Sequence, residues 1–300
     1  VSGLTACSVS MGFGVFGGRG VGGHSAVGAG VGVSVPVTGE VKELAPRLEI
    51  GSECGLPGYE NSCQRSPALA YGRGTHLIVW REGWNGLGGG SDILAARLDE
   101  LGRRRDRKPI AISAAPGAQD SPDVAFCAGS FLVVWGDFRS GKDYDVWGAM
   151  LDLDGKLRRK PFMLAGGAGG QALPAVTSDG TGTFLVVWQD SAGGKFFDVR
   201  GVRLSAADGK VLDADPIVLM PRGEEPDVVW AGGKFLVCQK WYAALVGADG
   251  KPAQTRRIWH TRAVLTPAAV AAWDRPLVFM NTEPRHDPWG WGGGGAIIGV

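Results

Sequence analysis

The chain has 300 residues, of which 50 are glycine and 11 tryptophan, with 44% hydrophobic and 20% charged residues. Lys and Arg number 31 against 30 Asp and Glu, a formal net charge of +1, so overall charge gives no reason to expect nucleic acid or a membrane surface as partner. The apolar fraction is too high for a disordered chain, and the glycines keep no three-residue period, which excludes collagen.

Residues 1–39 are Gly-rich and carry one charge, Arg19. They lack the bulky apolar run of a membrane helix and read as a low-complexity, disordered leader. Within it, Leu4-Thr5-Ala6-Cys7 resembles the lipobox of bacterial lipoproteins. That resemblance implies that Cys7 becomes a lipidated N-terminus where an apolar signal segment precedes it, so that any membrane association runs through a lipid anchor. The stretch near 45–51, Ala45-Pro46-Arg47-Leu48-Glu49-Ile50 and the next residue, reads as a strand. Cys54 and Cys63 then bracket a loop of turn formers. A disulfide would close that loop at a gain of about 2–3 kcal/mol and would favour an oxidising compartment. Cys127 and Cys238 lie in apolar strand contexts and read as buried thiols.

From residue 66 onward the sequence repeats. Units begin near 66, 121, 173, 225 and 266, each with a proline (Pro67, Pro122, Pro174, Pro226, Pro267), an apolar strand and a second strand, with a glycine turn between the two strands in the first four. The second strand reads His76-Leu77-Ile78-Val79-Trp80, then Phe131-Leu132-Val133-Val134-Trp135, then Phe184-Leu185-Val186-Val187-Trp188, and in weaker form Phe235-Leu236-Val237-Cys238-Gln239. A polar loop, a third strand, a turn such as Asp154-Gly155 or Asp208-Gly209, and a fourth strand complete the unit. Asp-Gly between apolar runs is a strong hairpin signal. Residues 92–101 have helical propensity, but their register with the third strands of the next units makes them a strand.

Four short strands per unit of about fifty residues mark an all-β fold, the β-propeller. The fifth unit ends at a third strand, and the strand near 45–51 is placed to complete its blade. Five four-stranded blades closed by an N-terminal strand is therefore the expected architecture for 40–300, with six or more blades if further repeats follow. The Phe-Leu-Val-Val-Trp strand, its following acid and the later Asp-(Ile/Val)-x-Gly strand resemble the repeat propellers of bacterial secreted and envelope proteins. The chain departs from WD40 repeats, which end a third strand in Trp-Asp, and from the sialidase Asp-box. The resemblance implies a secreted, periplasmic or outer-envelope location and no particular chemistry.

Alternating strand direction puts the loops between second and third strands, and the links between blades, on one acidic face. The turns between third and fourth strands lie on a basic face, with Arg103-Arg104-Arg105-Asp106-Arg107-Lys108 at one tip; such a run reads as a solvated hairpin tip, and no nucleic-acid partner is expected. Glu82, Asp137 and Asp190 follow the second strands at equivalent places. They are candidate glycosidase carboxylates, although a repeat would place them there as loop caps whatever the function. Asp123 and Asp227, near the start of innermost strands, are candidates facing the central channel. His24, His76, His260 and His286 have no metal or triad spacing, and neither a metal site nor a cofactor motif is found. Trp84, Trp289 and Trp291 lie in Gly-rich loops of the acidic face and suit stacking on sugar rings. The residues favour a binding or scaffolding propeller with carbohydrate or another protein as partner. The alternatives are a glycoside hydrolase or lyase using funnel carboxylates, and a structural propeller that joins proteins.

Overall fold

The computed structural model describes residues 65–83, 90–191, 194–239, 242–252 and 255 with their side chains, and backbone strands at 8–9, 15–19, 25–29, 64, 253–257, 264–272, 275–282 and 295–299. In the Gly-rich segment, β1 (Ser8–Val9) pairs with the first long strand, and β2 (Val15–Arg19) and β3 (Ser25–Ala29) form a hairpin. The first blade is β4 (Gln64–Gly72), β5 (Thr75–Gly83), β6 (Ser91–Leu98) and β7 (Ile110–Ser113). The second is β8 (Gln119–Cys127), β9 (Ser130–Asp137), β10 (Asp145–Leu151) and β11 (Leu157–Ala165). The third is β12 (Gln171–Ser178), β13 (Thr183–Asp190), β14 (Asp198–Ser205) and β15 (Ile217–Met220). The fourth is β16 (Asp227–Ala231), β17 (Lys234–Cys238), β18 (Tyr242–Val246) and β19 (Pro252–Arg257). The fifth sheet holds β20 (Val264–Ala272), β21 (Arg275–Thr282) and β22 (Gly295–Gly299).

Each sheet is antiparallel in simple order. The first strands stand side by side in succession, β4 by β8, β8 by β12, β12 by β16 and β16 by β20, which is the inner wall of a β-propeller. The stretch at 92–101 contributes β6, a strand, as its register requires. The closing strand expected near 45–51 lies outside the described residues.

The Phe-Leu-Val-Val-Trp sequence follows from this stacking. Side chains alternate between the two faces of a strand, and a middle strand inside a propeller has a neighbouring blade on both faces. Phe131, Val133 and Trp135 pack into the layer shared with Leu77 and Val79 of the first blade. Leu132 and Val134 turn the other way, onto Phe184, Val186 and Trp188 of the third. Leu185 and Val187 in turn meet Phe235 and Val237 of the fourth. All eight residues of β9 are buried, so the strand is apolar throughout rather than alternating.

The repeated prolines mark a bulge. In the second, third and fourth blades the inner strand is the free edge of its sheet, where a residue without N–H is tolerated. The pairing skips between Arg65 and Ala68, between Asp120 and Asp123, and between Ala172 and Ala175. The residue before each of the first four repeated prolines is left-handed, with φ of 51° at Ser66, 50° at Ser121, 52° at Leu173 and 51° at Glu225. A non-glycine residue in that region is strained, and four repeat-equivalent cases show the strain to be part of the blade design.

Candidate functional site

In Trp-x-acid, residues i and i+2 share one strand face. The indole Nε1 of Trp80 donates to Glu82 at 3.1 Å, that of Trp135 to Asp137 at 2.9 Å, and that of Trp188 to Asp190 at 3.1 Å. The indole is thereby satisfied inside the blade layer, and the acid is committed to it. Asp137 is fully buried and also accepts from the backbone N of Arg139 and, bidentately, from its guanidinium at 2.8 and 2.6 Å. That guanidinium lies 3.5 Å above the ring of Trp147. Asp190 is 3.9 Å from Arg200.

Each of these acids faces a second acid across the strand pair: Glu82 opposite Asp92, Asp137 opposite Asp145, Asp190 opposite Asp198. Like charges in direct cross-strand register repel. Burial, with the charge of Glu82 next, raises the Asp92 carboxyl above its ordinary value. Burial and then Asp143 raise Asp145. The third-strand acids hold the links between blades, Asp145 accepting from the backbone N–H of Gly167 and Asp198 from that of Arg222 at 3.0 Å. The mouth of the second blade is thus an acid pair with its donors supplied by its own loop and link.

Asp123 is placed differently. It sits just past the bulge on β8, and its two oxygens bridge two inner strands. One accepts from the N of Val124 at 2.8 Å and the other from the N of Val176, in the next blade, at 2.7 Å. Those are edge N–H groups that no strand pairs. Asp227 is its repeat equivalent two blades on and accepts from the N of Val228 at 2.8 Å. Both are half-buried. On the inner strand, Asp123 has its pKa pushed up to about 7: burial is the largest cause, the Val176 N–H opposes it, and the charge of Asp227 adds to it. Asp123 and Asp227 are therefore two carboxyls that sense each other along the inner wall, one of them able to hold a proton near neutral pH.

On the same face as the links, the loop before β14 exposes Phe196 (50%) and Phe197 (36%). Arg222, from the link after β15, lies 4.7 Å from the Phe196 ring centroid, and Lys195 lies 5.7 Å from it. Sequence reasoning missed this pair of rings; its signal was Lys195-Phe196-Phe197, an aromatic doublet in an otherwise polar loop. Trp84, Trp289 and Trp291, the pair Cys54 and Cys63, and Cys7 all lie outside the described residues. Cys127 and Cys238 are free and buried, and burial raises both thiols. Among the described residues no group of three or more His, Cys, Asp or Glu is placed to hold a metal ion. On the opposite face the basic run is partly engaged. Arg103 pairs with Asp99 at 2.9 Å, Arg105 donates to Thr75 and to the Gly74 carbonyl, and Asp106 pairs with Arg97 at 2.7 Å.

No protein-family model matches the sequence, and no curated protein matches it. Solved structures share its fold. The α-L-arabinofuranosidase Arb93A from Fusarium graminearum, in complex with an iminosugar inhibitor, is 14% identical with a TM-score of 0.54, covering 76% of this chain and 73% of that one. The α-L-arabinanase of Penicillium chrysogenum complexed with arabinobiose is 15% identical with a TM-score of 0.53, covering 74% of this chain and 71% of that one. At these identities the likeness is one of fold.

Proposed function

We propose that this propeller acts on carbohydrate and hydrolyses a glycosidic bond at the channel mouth with Asp123 and Asp227. The observation that carries the reading is the state of Asp123, a carboxyl held near pH 7 by burial with a second carboxylate acting on it. Glycosidases divide their work in this way between an acid that keeps its proton and a carboxylate that does not. Asp123 delivers its proton to the departing glycosidic oxygen as that C–O bond breaks, and Asp227 takes a proton from the water whose oxygen bonds to the anomeric carbon. The shared fold with an arabinofuranosidase and an arabinanase supports a sugar as substrate, and the Cys54 and Cys63 pair supports an extracellular or envelope setting.

The test is release of reducing sugar from α-1,5-arabino-oligosaccharides and of aryl alcohol from an aryl α-L-arabinofuranoside. Asp123→Asn and Asp227→Asn should each lower the rate by about 10²–10⁴-fold. Activity should fall as pH rises through about 7, because the acid form of Asp123 is then lost. A specific observation favours a binding propeller instead: Glu82, Asp137 and Asp190 are all taken up by their own indoles. Saccharide binding without turnover, unchanged in both variants, would establish that reading in place of hydrolysis.

A further inference from the structure

The link residue Arg222 has φ of 58°. Unlike Ser66, Ser121, Leu173 and Glu225, it does not precede a proline. Its backbone N–H goes to Asp198, as that of Gly167 goes to Asp145 in the preceding blade. The second blade thus fills this role with a glycine, at φ of 127°, and the third keeps an arginine in left-handed backbone. A strained non-glycine residue persists where the surroundings hold it, and such outliers point to function. What the exception achieves is visible: the guanidinium is set against Phe196, an exposed ring that Lys195 flanks as well. Two cations crowd one accessible aromatic surface, and among the described residues neither forms an ion pair. Exposed rings stack on the apolar faces of sugars, and an arginine fork recognises a carboxylate bidentately. The neighbouring ring Phe197 extends the apolar surface.

We infer that Phe196, Phe197, Arg222 and Lys195 form a subsite for a carboxylated sugar, a uronic acid unit of a glycan, its ring on the phenyl groups and its carboxylate on the cations. The inference rests on the carbohydrate reading above and gives it a substrate class. Arg222 lies five residues before Asp227 on the link that leads into the inner wall.

Calorimetric titration of the intact protein with a galacturonate oligosaccharide and, separately, with a neutral arabino-oligosaccharide tests it. Binding of the galacturonate oligosaccharide is expected, weakened at least about tenfold by Phe196→Ala and by Arg222→Gln, and retained by Phe196→Tyr, which keeps the ring and serves as the folded reference. Binding of the neutral sugar alone would overturn the subsite and leave the carbohydrate reading standing. Binding of neither would remove both. Loss in Arg222→Gln with no change in Phe196→Ala would reduce the contact to general charge attraction and also overturn the subsite.

Discussion

At the residue scale, the acid after each tryptophan does different amounts of work in different blades. Asp137 is fully buried and holds an indole, a backbone N–H and a bidentate guanidinium, whereas Glu82 is half-buried and accepts a hydrogen bond from the Trp80 indole. Removing a buried acceptor strands its donors. Asp137→Ala should therefore cost about 3 kcal/mol, and Glu82→Ala about 1 kcal/mol, in urea unfolding. Equal costs would mean that the buried Arg139 pairing adds nothing. The sequence showed these acids as repeat-equivalent and suited to capping, because a period of about fifty residues is visible in one dimension. It did not show the indole as their partner, since a hydrogen bond between i and i+2 depends on strand rotamers.

At the element scale, neighbouring blades are joined by arginines reaching into the next hairpin turn. Arg97 is gripped by Asp106 and donates to the carbonyl of Leu153 at 3.1 Å; Arg203 is gripped by Asp213 and donates to that of Ala248 at 2.9 Å. Arg159 reaches the carbonyl of Gly209 in the same manner. The Asp-Gly turns serve this contact as well as the hairpin. A Cβ on Gly209, at φ of 73°, would stand 2.6 Å from Met150 Sδ and 3.0 Å from the Arg159 guanidinium, while Gly141, at φ of 71°, has nothing within 4 Å. Gly141→Ala should cost about 1 kcal/mol from backbone strain alone. Gly209→Ala should cost about 1–3 kcal/mol more, through overpacking. Thermal unfolding checks the difference, expected at about 2–4 °C per kcal/mol for a domain of this size; matching losses would assign the turns to backbone conformation only.

At the scale of the whole molecule, Asp123 ties the second and third blades together along the channel. Ser178 adds a bond of 2.7 Å from its hydroxyl to the Phe126 carbonyl on the same seam. The folded protein holds the Asp123 proton up to about pH 7, while an unfolded aspartate loses it near pH 3.9. Between those values the native state binds more protons than the unfolded one, so stability falls as pH rises through the window, by up to about 1.4 kcal/mol per pH unit. Below it both states are protonated and above it both are ionised, so the slope from this group vanishes. Asp123→Asn should flatten that slope in urea titrations at pH 4 to 7, at the loss of one backbone acceptor. An unchanged slope would show that another group sets it.

By itself the sequence determined the all-β class, the repeat of four-stranded units and a strand, not a helix, within 92–101, because repetition and a two-residue side-chain period are local properties of the chain. Only the tertiary structure decided which carboxyl is special. Asp123 and Asp227 occupy the same place in their repeats as the alanines at 68 and 175, and one of them titrates near neutral because stacked blades exclude water around it and bring the other's charge to bear. The pairing of Phe196 with Arg222, twenty-six residues apart, likewise exists only once a blade brings its loop and its link to one face.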